Sequence, residues 1–253
     1  MNTSERLLVR LDEIGEALSK MEAALALIGL GSVGLELDRL DSFSDLDFFV
    51  IVKAGSKSQY LEDLGWLAEI APVAYSFANT PDGYKLLYAD GVFCEFAVFD
   101  EEEIKQAVFS PGRVVWKAEG ISDEIGIPHR SSERRQPPSI EWLVGEALTN
   151  LYVGLSRERR GEKLSAIRFI QGYAVDRLLE LSERIEIANP GARDAFGIER
   201  RYEQRFPAMR EMLPEFLQGY ERNRESALAI LSYLGENFEI NPAMKQAVLA
   251  LCK

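Results

Sequence analysis

Asp45 and Asp47 bracket a single leucine in the run Asp45-Leu46-Asp47-Phe48-Phe49-Val50-Ile51-Val52. The run predicts a strand, in which residues i and i+2 face the same way, about 6–7 Å apart. Asp45 and Asp47 then project together, while Leu46 and Phe48 point into a core. Two parallel carboxylates repel each other, and a divalent cation is their natural partner. Phosphoryl-transfer sites often use two such ions, about 3.5–4 Å apart, to hold the attacking and leaving oxygens. Twelve residues separate Gly31-Ser32 from Asp45. Gly31-Ser32 follows the apolar run Ala24–Leu30, so a tight turn with free backbone N–H groups and a hydroxyl is expected there. Such a turn can cradle a polyphosphate. A third acid, Glu95, lies inside the apolar run Val92–Phe99. A carboxylate in such a strand is costly unless it is paired or faces a site. If this strand lies beside that of Asp45, Glu95 completes a carboxylate triad. It would then ligate metal or act as general base on an attacking hydroxyl.

The elements that must position these groups are legible from periodicity. Leu7, Leu8, Leu11, Ile14, Leu18 and Met21 predict a helix over 4–24. Ser56 and Gln59 have capping-box spacing and predict a helix carrying Tyr60, Leu61, Leu64, Leu67 and Ile70. Val73–Phe77, Tyr84–Tyr88 and Val92–Phe99 predict a strand meander, punctuated by Pro81-Asp82-Gly83 and Ala89-Asp90-Gly91. Asp100-Glu101-Glu102-Glu103 is expected to open a short helix as a solvated acidic first turn. Val114-Val115-Trp116 suits one more short strand. Residues 128–138, Pro-His-Arg-Ser-Ser-Glu-Arg-Arg-Gln-Pro-Pro, read as a linker. Beyond it the pattern turns helical over 140–155 and 164–186, with two or three further helices over 208–251 broken by Pro207, Pro214 and Pro242. The expected architecture is α/β (α+β): a mixed sheet flanked by helices over 1–127, the linker, and a helical bundle over 139–253.

Composition bounds the chemistry. The chain has 253 residues, enough for a sizeable core without disulfides. Its formal net charge of −12 gives no general attraction to nucleic acid or anionic membrane. His129, the sole histidine, falls in the expected linker, which argues against a Ser-His-Asp hydrolase, and a single histidine excludes multi-histidine metal sites. Cys94 and Cys252, the two cysteines, are too few for a Cys-rich zinc site. Any metal must be held mainly by oxygen. No cationic leader with an apolar run and cleavage site is seen, and no apolar stretch reaches the ~20 residues a membrane span needs. A soluble cytoplasmic protein is expected, with no nucleic-acid or membrane partner.

Gly31-Ser32, Asp45-Leu46-Asp47 and the later Glu95 resemble the signature of the nucleotidyltransferase superfamily. More narrowly, the chain is similar to the lincosamide nucleotidyltransferases of the antibiotic-modifying branch. The matching pieces are Ser44-Asp45-Leu46-Asp47-Phe48, Trp66-Leu67-Ala68-Glu69-Ile70-Ala71-Pro72, Glu95-Phe96 and Arg160-Gly161-Glu162, spread over residues 25–165. The resemblance implies a nucleotidyltransferase-type mixed sheet and a C-terminal helical domain. It implies Mg²⁺-dependent transfer of a nucleoside monophosphate, AMP from ATP by resemblance, to a hydroxyl of a small molecule such as an antibiotic. It also implies a homodimer. Asp45, Asp47 and Glu95 are then the catalytic and metal-binding acids, and Gly31 and Ser32 hold the nucleotide.

In the helical half, Asn150, Arg160, Lys163 and Arg168 are candidates to reach the triphosphate, where a cation offsets developing charge. The competing reading is a solvated helix face laced with ion pairs. Trp142, Tyr152 and Tyr173 are expected in the core or a cleft wall, and Ser42 and Ser44 as loop punctuation. Arg130, Arg134, Arg135, Arg200 and Arg201 are expected as surface and linker charge. Two other functions stay open. One keeps the chemistry with a protein or RNA acceptor, as in toxin–antitoxin nucleotidyltransferases. The other is a non-catalytic nucleotide-binding module.

Overall fold

The computed structural model describes residues 3–130, 137–190 and 197–253. It divides the chain into two compact units, Met1–Arg135 and Gln136–Lys253. Of the expected linker, residues 131–136, including Arg134 and Arg135, lie outside the described residues.

The first unit is built on a six-stranded mixed sheet. Its strands are β1 (Ala24–Gly29), β2 (Leu46–Val52), β3 (Val73–Thr80), β4 (Gly83–Tyr88), β5 (Phe93–Asp100) and β6 (Arg113–Lys117), in the order β3-β4-β5-β2-β1-β6. β2 and β5 pair in parallel, and the other neighbours are antiparallel. The meander β3-β4-β5 turns at the two expected Asp-Gly sites.

One face of the sheet is covered by helix α1 (Thr3–Ser19), whose Leu7, Leu11, Ile14 and Leu18 are buried against Leu27, Phe48, Val50 and Phe96. Each such leucine stabilises the fold by about 1.5–3 kcal/mol. Phe48 and Phe96, register neighbours on β2 and β5, stack with ring centroids 5.1 Å apart. The opposite face carries a smaller cluster, Leu25, Ala26, Ile28, Ile51, Ile104 and Phe109. It packs toward the C-terminal ends of β2 and β5, where Phe49 meets Phe99 and Phe109 edge-on. The N-terminal ends of β2 and β5 on this face carry the acids.

Three local expectations are corrected. The first helix ends at Ser19, so Met21 falls in the turn that feeds β1. The helix expected after Ser56 is two short ones, α2 (Lys57–Leu61) and α3 (Gly65–Ala68). Ser56 makes no side-chain cap, and Asp63 Oδ1 accepts from Gly65 N at 2.8 Å. That local bond offers the backbone an alternative to a continuous helix. The acidic run before α4 (Glu103–Gln106) is also more than solvated charge. Asp100 Oδ1 accepts from Glu102 N and Glu103 N, both at 2.9 Å.

The second unit is helical. α5 (Ile140–Arg159) is capped by Ser139, whose Oγ accepts from Trp142 N at 3.1 Å. α6 (Lys163–Ile167) passes through a wider, π-helical stretch, Arg168–Ala174, into α7 (Val175–Ile185). The wider turn lets Ile170 and Gln171, then Ala174 and Val175, stay buried in adjacent pairs. α8 (Tyr202–Arg205), α9 (Pro207–Phe216), α10 (Asn223–Asn237) and α11 (Pro242–Leu251) complete it. Pro207 and Pro242 open helices rather than break them, because a first-turn residue needs no N–H partner. Pro214 lies inside α9. Trp142, Tyr152 and Tyr173 are about half exposed, not core.

Candidate active site

The site begins where β1 stops. All six residues of β1 are buried, so the strand is held from both faces. Leu30 N then donates to Asp47 O at 2.9 Å, which ties the end of β1 to the aspartate strand. Gly31–Val33 makes a single 3-10 turn, with Gly31 at φ +51°. A side chain at that φ is strained, and a Cβ there would meet nothing within 4 Å. Gly31 therefore serves the turn's backbone and leaves open space beside it. At Gly34 the reason for glycine is contact, since a Cβ would sit 2.5 Å from Gly29 O.

Arg113 locks this turn from the other side. It is the register partner of Gly29 on β6, and its Nε and Nη2 donate to Val33 O at 3.3 and 3.1 Å. The only signal for it in the sequence is an arginine opening a short apolar strand, and nothing there says which loop it reaches.

Asp45 precedes β2, and Asp47 is its second residue; both are half-buried. Leu46 and Phe48, between and after them, are fully buried on the opposite face. The alternation expected of the aspartate strand is therefore present. β5 lies directly beside β2, with Asp47 opposite Glu95 and Leu46 opposite Cys94. Cys94 feels both neighbours. Burial chiefly, with the negative charges of Asp47 and Asp45, pushes its thiol up to about 12, against an opposing pull from Arg10.

Glu95 has its own partners. Lys85, opposite it on β4, places Nζ 3.1 Å from Oε2. Asn79 on β3 donates from Nδ2 to Oε1 at 3.0 Å. Among the described residues no three His, Cys, Asp or Glu side chains come together as a metal-holding group. The expected triad of Asp45, Asp47 and Glu95 is thus not assembled as a cluster. A third carboxylate beside two others is repelled, and here a lysine answers its charge instead. The pair Asp45 and Asp47 still suits Mg²⁺, a hard cation commonly bound by one or two carboxylates plus substrate phosphates.

A second cation, Lys57, lies further along the same unit. Its Nζ is 2.6 Å from Asp82 Oδ1 and 2.8 Å from both oxygens of Glu103. Burial works to lower its pKa, but the bonds to Asp82 and Glu103 prevail and raise it. Lys57 thereby joins α2 to α4 and the β3–β4 turn. Ser44 behaves as the expected loop punctuation, its Oγ accepting from Asp41 N at 3.0 Å.

The nucleotide candidates of the helical half belong to the second unit. Asn150 is half-buried on α5. Lys163 and Arg168 line an open cleft of about 460 Å³ with Gly161, Glu162 and Tyr220. Lys163 pairs with Glu221, and that hydrogen bond raises its pKa. Its ammonium also lies 5.7 Å from the Tyr220 ring centroid. Arg160 pairs with Glu162 at 3.3 Å.

No family model matches this chain, and no curated protein matches it. Among the solved structures similar to it are two of low identity. One is an aminoglycoside 6-adenyltransferase from Bacillus subtilis, at 14% identity and a TM-score of 0.36, covering 95% of this chain and 89% of that one. The other is a nucleotidyltransferase-like protein from Exiguobacterium sibiricum 255-15, at 13% identity and a TM-score of 0.33, covering 87% of this chain and 71% of that one.

Proposed function

We propose that the protein transfers a nucleoside monophosphate, AMP from ATP, to a hydroxyl of a small molecule. The observation that carries this reading is the alignment of Asp47 with Glu95 on adjacent parallel strands, beside a glycine-serine turn whose preceding residue, Leu30, donates to Asp47 O. Asp45 and Asp47 hold Mg²⁺, which when bound offsets the negative charge of the triphosphate. Gly31 and Ser32 present backbone N–H groups and a hydroxyl to the phosphates, with Arg113 keeping the turn in place. Glu95 accepts the proton of the acceptor hydroxyl. The acceptor oxygen forms a bond to the α-phosphorus in line, the bond from that phosphorus to its bridging oxygen breaks, and pyrophosphate leaves. The acidic net charge favours a small acceptor over RNA.

The test is pyrophosphate release with Mg²⁺ and each common ribonucleoside triphosphate, across a panel of lincosamides and aminoglycosides. Release that depends on one acceptor supports the proposal. Nucleotide binding without release across the panel moves the acceptor to a protein, an RNA or another metabolite. Absence of nucleotide binding overturns the transferase reading.

A further inference from the structure

Four strands bring one row of side chains to the acid-bearing face. Phe77 on β3 is in register with Lys85 on β4, Lys85 with Glu95 on β5, and Glu95 with Asp47 on β2. Neighbouring strands lie about 4.8 Å apart, so Glu95 sits one step from Lys85 and one from Asp47, while Lys85 and Asp47 are about 9–10 Å apart. The lysine therefore answers the charge of Glu95 ahead of that of Asp47. Each oxygen of Glu95 has one partner: Lys85 Nζ at Oε2 and Asn79 Nδ2 at Oε1. Asn79 does this at a cost. Its Oδ1 is buried with no hydrogen-bond partner among the described residues, and a buried acceptor left without a partner is destabilising. A side chain serving only the edge strand would turn both ends of its amide to water.

We propose that Lys85 and Asn79 are positioning residues that hold Glu95 as acceptor of the substrate's proton and keep it off the metal, leaving the metal to Asp45 and Asp47. The inference rests on the function proposed above and extends it to two residues outside the acid motif. Each carboxylate oxygen keeps a lone pair after its bond to Lys85 or Asn79, enough for one hydroxyl. A divalent cation brought to the same oxygen would face the Lys85 ammonium, a like charge at close range.

The test is Mn²⁺ titration of the full chain, followed by electron paramagnetic resonance in the presence of a non-hydrolysable ATP analogue, with transfer rates measured in parallel. Glu95→Gln is expected to bind Mn²⁺ as the parent does. Lys85→Gln is expected to bind it about 10-fold more tightly, because Glu95 is released toward the ion, and the double variant to lose that gain. The same Lys85→Gln change should lower kcat about 10–100-fold with nucleotide KM little altered, and Lys85→Arg should restore most of the rate. Asn79→Ala should shift both readouts in the same direction by less, and it carries the test if Lys85→Gln does not fold. The inference falls if Glu95→Gln weakens Mn²⁺ as much as Asp47→Asn does, or if the Lys85 and Asn79 variants leave Mn²⁺ affinity and kcat unchanged. A parent protein that binds no Mn²⁺ overturns the proposed function itself, and this inference with it.

Discussion

Asp47 and Glu95 stand side by side across the parallel pairing of β2 and β5, although 47 residues separate them in the chain. A parallel pair needs a crossover, and residues 53–92 provide it as α2, α3, β3 and β4. Because register partners share a face, the pairing commits both carboxylates to one side of the sheet. Their charge there is unlike a surface strand's scattered acids: it is concentrated opposite a core of Phe48, Cys94 and Phe96.

Replacing either aspartate should remove activity without removing the fold. Asp45→Asn and Asp47→Asn keep the shape of the side chain and delete its charge. Transfer should fall by a factor on the order of 10²–10³ or more, as when a group stabilising transition-state charge is lost. Glu95→Gln should cost about 10²–10⁴-fold, the range for a general base. Pyrophosphate release gives the rates, and circular dichroism melting checks the fold. Full activity in both aspartate variants would sink the mechanism.

Arg113 should matter to the turn more than its place in a short strand suggests. Arg113→Met keeps the apolar stem and deletes both bonds to Val33 O. Hydrogen bonds from a charged donor are worth about 1.5–3 kcal/mol when partly buried, so urea unfolding should show a loss of that order. Nucleotide affinity should weaken with it, because the Gly31–Val33 turn loses its brace. An unchanged affinity would separate Arg113 from the nucleotide site.

Two glycines of the same turn should respond differently to alanine. At Gly31 the cost is conformational, about 1–2 kcal/mol for a left-handed residue, since no atom lies within 4 Å of the added Cβ. At Gly34 the added Cβ meets Gly29 O at 2.5 Å and the Leu30 backbone at 2.9 Å, so the chain itself must move. Gly34→Ala should therefore lose more than about 2 kcal/mol. Equal losses in denaturant titration would contradict this account.

Alkaline pH should destabilise the protein through groups buried in their neutral form. Burial chiefly raises Cys94 from its ordinary 9.0 to about 12, and Tyr233 from 10.0 to about 12. A raised folded pKa contributes stability that is fully present below the unfolded value and is lost as pH climbs through the folded one. Unfolding free energy should thus decline between about pH 9 and pH 12, and Cys94→Ala should flatten the first part of that decline. Native Cys94 should also resist thiol reagents at pH 8 and react once urea is added, because the thiolate is the reactive form. Prompt labelling of the native protein at this position would refute the burial argument.

Local chemistry was legible in the chain wherever one element alone determined it. Alternation placed Leu46 and Phe48 inside and Asp45 and Asp47 on the other face, and the Asp-Gly turns marked the meander. Glu95 was legible as a carboxylate that an apolar strand must account for. Helix boundaries were less so: a single Asp63 side-chain bond divides α2 from α3, and a first-turn proline looks like a breaker when it is an opening. The half-exposed Trp142, Tyr152 and Tyr173 show the same limit, since helical spacing says which residues share a face but not what covers it.

The inventory is legible in the chain alone: a donor set of mainly oxygen, a glycine-serine turn after an apolar strand, two aspartates on one face, and a third acid needing a partner. Only the tertiary structure decided which partners those groups receive. It set Glu95 between Asp47 and Lys85, brought Asn79 to its other oxygen, and turned Arg113 onto the Gly31–Val33 turn. The physical reason is that strand periodicity is local, whereas strand order and register come from burying both faces of a sheet at once. Contacts between residues far apart in the chain follow from that packing and leave no pattern along it.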